Sequence, residues 1–219
     1  MEQMLPPTLD VTYTTDWAGP LDGLHMDREM LQGFGLFPWQ IVSRNSWWSR
    51  RLKKGEIGCA ISHWRCWKDA ADRNACVALM LEDDVVLVES FFDKVERALH
   101  VLEARDRDWD FLYLGRQPAM RDFPAGDGFV RPGYTHCTYA YMLSRSGIGK
   151  VLSVGFENHL IPLDEFLSAL FVIHPRPDVA RRYRPILKAF ALEPPIAFQL
   201  PKEHGGSDTE ATDFVDWQD

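Results

Sequence analysis

The chain has 219 residues, 46% of them hydrophobic and 26% charged, with a formal net charge of −8. That balance excludes a disordered chain and suits one domain with a real core, burying roughly 70% of its unfolded surface. The negative charge argues against a nucleic-acid partner held by a general positive field, but leaves room for an anionic small molecule in a local basic or metal-filled site.

Cys59, Cys66, Cys76 and Cys137 contain no CxxC pair, so we expect reduced thiols and a cytoplasmic protein, at most peripheral to a membrane. Met1 to Pro7 has neither a basic region nor an apolar h-region and does not read as a signal peptide. No apolar run reaches membrane-spanning length.

The first 20 residues read as a loosely ordered or truncated start, with Val11–Thr14 the earliest strand candidate. Residues 21–50 lack firm periodicity and carry Trp39, Trp47 and Trp48 near Arg44, Arg50 and Arg51. Such a stretch suits a sugar-stacking or diphosphate loop, but tryptophans pinning a long connection to the core is the reading we prefer. Gly55 opens a helix with Ile57, Ala60, Ile61, Trp64 and Ala71 at helical spacing and Glu56 in its first turn. Cys59, His63 and Cys66 share a second face, which fits either a soft-metal site or buried free cysteines.

Cys76 to Leu81 is an unbroken apolar or small run, the pattern of a strand buried on both faces, and three carboxylates follow it: Glu82, Asp83 and Asp84. Either these acids are solvated, or a cation neutralises them; oxygen-rich clusters suit Mg²⁺ or Mn²⁺. Strand alternation puts Glu82 and Asp84 on one face and frees Asp83 for a sugar or ribose hydroxyl.

Phe91–Arg105 reads as a helix and Asp110–Gly115 as a strand. Residues 116–134 are rich in Gly, Pro and charge and suit a surface loop or lid. Thr138–Leu143 is a further strand, with Ser144 capping a helix over Arg145–Val154. Asp164 and Glu165 open another helix; the bland role is capping, the chemical one a carboxylate general base. Residues 174–185 form a basic, proline-broken connection, and a last strand lies near Ile196–Leu200. His204 is either an exposed side chain or a metal ligand, and Ser207 with Glu210 matches a capping box for a short helix. His136 and His159 are weaker candidates for touching a ligand. Strands alternating with helices define an α/β chain, which we take as a single domain over 1–219 with a tail from 213.

Five segments in order carry a resemblance: Lys54 to Trp64, Leu81 to Val85, Thr138 to Tyr141 with Ser144 and Gly147, Leu163 to Leu167, and His204 with Ser207 to Glu210. Together they resemble glycosyltransferase family 25, which includes lipooligosaccharide and collagen galactosyltransferases. The resemblance implies a GT-A fold, with a mixed, mostly parallel sheet flanked by helices. It implies a UDP-galactose or UDP-glucose donor, Mn²⁺ (or Mg²⁺) and inversion at the anomeric carbon. The acceptor would be a hydroxyl on a glycan, lipooligosaccharide or hydroxylated protein. On that basis Glu82, Asp84 and His204 are the metal residues. Asp164 or Glu165 is the base, and Glu56, Ser62, His63, Asp83, Ser207 and Asp208 shape the donor pocket. The family usually opens on an apolar strand followed by an arginine-rich segment. No such segment follows Val11–Thr14, so the first strand–helix unit is expected to be missing or altered. The alternatives are a non-catalytic or partner-completed nucleotide-sugar binding domain, and a different metal-dependent phosphate-ester enzyme.

Overall fold

In the computed structural model, residues 10, 23, 25–201 and 208–216 are described, without the side chains of Asp208 and Glu210. The strand expected at Val11–Thr14, and His204 and Ser207, lie outside the described residues.

Eight strands and six helices are described: α1 (Lys54–Asp72), β1 (Val77–Leu81), β2 (Val85–Leu87), α2 (Phe91–Arg105), β3 (Phe111–Pro118), β4 (Phe123–Gly126), β5 (Phe129–Arg131), β6 (Thr135–Ser144), α3 (Arg145–Ser153), α4 (Leu163–Ala169), α5 (Pro177–Arg182), β7 (Ala189–Leu192), β8 (Ala197–Gln199) and α6 (Asp208–Ala211). Six strands form one sheet in the order β1-β6-β3-β7-β5-β4, and β2 pairs with β8 in a small second sheet. Among the described strands β3 with β7 is the one parallel pair; the other strand pairs are antiparallel. The expectation of a mostly parallel sheet is therefore corrected to a mixed, mostly antiparallel one. The apolar run at β1 misled because burial on both faces, and not strand direction, is what demands unbroken hydrophobicity.

That two-sided burial is visible in the central strands. Phe111 and Tyr113 of β3, with Tyr141 and Leu143 of β6, join the core under α1, α3 and α4. Their neighbours Leu112, Leu114, Ala140 and Met142 join the core under α2. Period-two alternation thus feeds two cores from one pair of strands. Helix α2 supplies Phe91, Val95, Ala98 and Leu102, spaced three or four apart along one face.

Two stretches read as irregular are ordered. Residues 116–134 hold the β4–β5 hairpin, and the proline-broken 174–185 segment contains α5. Pro177 sits in the first turn of α5, where its missing N–H would have no helical partner anyway. Trp39 in the long connection is fully buried, as the core-pinning reading requires. Buried Arg176 donates Nη1–H to the Trp39 carbonyl at 2.7 Å.

Two close approaches bring distant segments to the ends of β1 and α1. A Cβ on Gly115 would lie 2.2 Å from the Ala197 carbonyl oxygen, so only glycine lets β8 cross β3 there. A Cβ on Gly55 would meet the Cα of Thr209 at 2.5 Å, which lets α6 settle on the first turn of α1. The Gly55 N–H donates to Thr212 Oγ1 at 2.9 Å and the Lys54 N–H to the Asp213 carbonyl at 2.9 Å. Residues 208–216, expected in part as a tail, are therefore docked against the start of α1.

Candidate active site

The acidic run leaves β1 at its C-terminal end and turns into β2. The Glu82 N–H still donates to the Tyr139 carbonyl at 3.0 Å, so Glu82 is held by the sheet. Its Oε1 accepts the Thr138 hydroxyl at 2.6 Å. Asp83 is exposed. Asp84 Oδ2 accepts from Gln199 Nε2 of β8 at 2.7 Å, while its Oδ1 is buried without a hydrogen-bond partner. Burial raises the Asp84 carboxyl above its ordinary range; the Gln199 bond opposes this, and Glu82 and Asp83 add to it. An orphaned carboxylate oxygen beside two further acids is a donor set that fits a hard divalent cation. Glu82 and Asp84 would hold such an ion.

His63 lies beneath this run, not in an open pocket. Its Nδ1 is 2.7 Å from the Tyr141 hydroxyl, which also accepts Trp67 Nε1–H at 2.9 Å. Indole can only donate, so the single phenolic proton of buried Tyr141 goes to His63 Nδ1. Nε2 then carries the imidazole proton and faces Glu82 Oε1 at 3.4 Å. Ligand-type atoms of Cys59, His63 and Glu82 lie within 4.8 Å of one another. In this tautomer His63 turns an N–H toward Glu82 and supports it. Cys66, which shares the helix face in sequence, is not in that cluster. The donor-pocket role expected for His63 gives way to one of support. Ser62 Oγ is turned back to the Gly58 carbonyl at 2.9 Å.

Glu56 is also structural. It is 4% exposed, accepts the Lys53 N–H at 2.7 Å, and binds Arg50 through both oxygens at 2.6 and 3.0 Å. This closes the first turn of α1 and leaves the carboxylate no free face for a donor sugar. Arg50 in turn lies over the Trp47 ring at 3.8 Å.

The two acids at the start of α4 separate. Glu165 is wholly buried, and its carboxylate takes Tyr134 Oη–H at 2.7 Å, His174 Nε2 at 2.5 Å and Trp48 Nε1–H at 3.3 Å. A carboxylate closed in by three donors is not a base for an incoming hydroxyl, which corrects its expected catalytic role. Asp164 is half-buried; its Oδ1 accepts the Glu165 N–H at 2.9 Å and its Oδ2 is 3.3 Å from His136 Nδ1. The bond from Asp164 raises the His136 pKa above its ordinary value, and burial opposes it.

Strand β6 joins the two ends of the site. Its His136 meets Asp164, and two residues on its Thr138 meets Glu82. The strand is irregular here, with register shifts against β3 and a left-handed Cys137 at φ 64°. Two further groups, the Cys59 thiol and the Tyr113 hydroxyl, feel both carboxylates. Burial pushes the Cys59 thiol well up, and Glu82, Asp164, Glu56 and Asp84 reinforce it. The Tyr113 hydroxyl, 1% exposed and without a partner, is raised by burial and then by Asp164. Sequence reading missed Thr138, Tyr113 and Gln199. Each is an ordinary strand residue; Thr138 and Gln199 have partners far off in the chain, and Tyr113 is brought to the site by the sheet. Of the remaining expected residues, Asp208 begins α6 on the first turn of α1.

The sequence model of glycosyltransferase family 25 (LPS biosynthesis protein) matches residues 39–121, which contain α1 and the acidic run. Procollagen galactosyltransferase 1-A of Xenopus laevis is 33% identical over 186 residues, covering 77% of this chain and 30% of that protein. Inactive glycosyltransferase 25 family member 3 of Homo sapiens is 30% identical over 226 residues, covering 96% of this chain and 37% of that protein. Procollagen galactosyltransferase 2 of Homo sapiens is 30% identical over 199 residues, covering 86% of this chain and 30% of that protein. The chain belongs to glycosyltransferase family 25. It spans about a third of the length of the curated relatives it matches. Those relatives include proteins named as galactosyltransferases and others named as inactive or probable inactive members, at similar identity.

Proposed function

We propose that the chain is a single metal-dependent glycosyltransferase domain of GT-A type. It transfers a hexose, galactose or glucose, from a UDP-sugar to a hydroxyl on a glycan, lipooligosaccharide or hydroxylated protein, with inversion. The observation that carries this reading is the β6 bridge, which ties the acidic run through Thr138 and the α4 carboxylate through His136. Family membership and the galactosyltransferase relatives support it. A reducing, cytoplasmic location is part of the reading, supported by four cysteines of which none forms a disulfide. No helix of the described residues is long and apolar enough to cross a membrane.

Glu82 and Asp84 would hold Mn²⁺ or Mg²⁺, with His204 as a further contributor. When bound, the ion supplies positive charge to a departing nucleoside diphosphate. The chain's own residues do the rest. Thr138 and His63 fix one oxygen of Glu82, Gln199 fixes one oxygen of Asp84, and exposed Asp83 is placed for a sugar or ribose hydroxyl. The acid at the start of α4 stands at the acceptor side, where a proton must leave as the new bond forms.

Incubation with Mn²⁺ and a panel of UDP-sugars, followed by UDP release, tests the reading. Release that depends on metal and disappears in Asp84→Ala is expected. A wild-type chain that binds no UDP-sugar at millimolar concentration by calorimetry overturns it. The second reading, a nucleotide-sugar binding domain without turnover, is favoured by the similarity to a relative named as inactive. It predicts calorimetric binding with no UDP release.

A further inference from the structure

The proton-accepting end of the site contains a pair, not a lone carboxylate. Asp164 Oδ1 accepts the backbone N–H of Glu165 at 2.9 Å, and Oδ2 faces His136 Nδ1 at 3.3 Å. A carboxylate already accepting two hydrogen bonds is a weakened base. It is well suited to hold an imidazole in one tautomer, with Nδ1 protonated and the Nε2 lone pair pointing away. The His136 side chain is 38% exposed against 20% for Asp164, so the imidazole is the more open of the two. The Tyr134 ring meets His136 edge-on at 5.1 Å and fixes its plane from the side.

Resting on the transfer reaction proposed above, we infer that His136 Nε2 takes the acceptor proton and that Asp164 is its positioning residue. The acceptor oxygen forms a bond to the sugar C1 as the C1–O bond to the diphosphate breaks. That bond's electron pair leaves with the diphosphate. The hydroxyl proton moves to His136 Nε2, giving an imidazolium whose Nδ1–H stays on Asp164, and the extra proton is then lost to water. The groups facing His136 are Asp164 and Glu165 from α4, Tyr134 before β6, and Gln117 across the ladder on β3. Both acids favour the charged ring, so the working neutral imidazole fills as pH rises through a value above the ordinary histidine range.

The test has one arm free of turnover. Proton NMR of the whole chain follows the His136 ring through pH, assigned with His136→Gln. Its midpoint is expected above the ordinary histidine value and falls in Asp164→Asn. An unchanged midpoint in Asp164→Asn overturns the pairing. In the second arm, UDP release from UDP-galactose with Mn²⁺ is followed against pH. His136→Gln is expected to lower kcat by about 10²–10⁴-fold at unchanged donor KM and to remove the rise with pH. Added imidazole should restore part of the rate in His136→Gly. His136→Gln at wild-type kcat overturns the inference and leaves the transferase reading standing. A wild-type chain that releases no UDP overturns both, even where the ring still responds to Asp164→Asn.

Discussion

Thr138 Oγ1 stands 2.6 Å from Glu82 Oε1, joining the middle of one strand to the end of another across 56 residues. The hydroxyl holds one oxygen of Glu82 in place, which is how an outer partner orients a metal-ligating carboxylate. Thr138→Val keeps the strand shape and removes the bond. It should weaken Mn²⁺ binding by roughly 10–100-fold with little change in the unfolding midpoint of the metal-free chain. Calorimetry with MnCl₂ checks this, and unchanged affinity would remove Glu82 from the metal set.

Asp84 gives a prediction with opposite signs in two conditions. Because burial raises its pKa, the folded chain holds this proton more tightly than the unfolded one. Its contribution to stability therefore declines as pH rises from the ordinary carboxylate pKa through the raised one, and at neutral pH the ionised group is a net cost. Asp84→Asn should raise the melting temperature in EDTA at pH 7 and abolish the further rise that Mn²⁺ gives the wild type. Melting curves at pH 4 and pH 7, with and without metal, read both effects; the EDTA advantage should shrink at pH 4.

Glu165 should behave as a structural acid. Glu165→Ala leaves Tyr134, His174 and Trp48 without their shared acceptor. We expect a loss of about 2–5 kcal/mol in urea unfolding, since each buried donor left without an acceptor costs about 1–3 kcal/mol. A loss of activity with undiminished stability would instead restore Glu165 to the chemistry.

The cysteines should sort by burial. Burial pushes Cys59 well up and Cys66 to about 12, whereas Cys76 is exposed. Iodoacetamide at pH 8 should label Cys76 and spare Cys59 and Cys66, because the thiolate is the reactive form. Peptide mass mapping checks the order.

Features encoded locally were readable before the structure. The apolar spacing of Phe91, Val95 and Leu102 marks α2, and Ser144 marks the start of α3, where it accepts the Gly147 N–H at 3.1 Å. The acidic run at the exit of β1 stands out for the same reason. Features set by long-range pairing were not readable. The β4–β5 hairpin uses the glycines and proline that also make loops, and the short β7 owes its state to β3 and β5 on either side. Asp164 and Glu165 look interchangeable in sequence. Trp48, Tyr134 and His174, from three separate segments, distinguish them in space.

The spacing of His136 and Thr138 on β6 has a consequence for how this scaffold can vary. The Glu82 and Asp164 carboxylates are both moored to a single stretch of backbone, so peptide geometry is the ruler between them. Surface loops can lengthen without altering the distance between the two carboxylates. Because alternate residues of the same strand feed the two cores, displacing β6 by one residue would undo both moorings and the packing around them together.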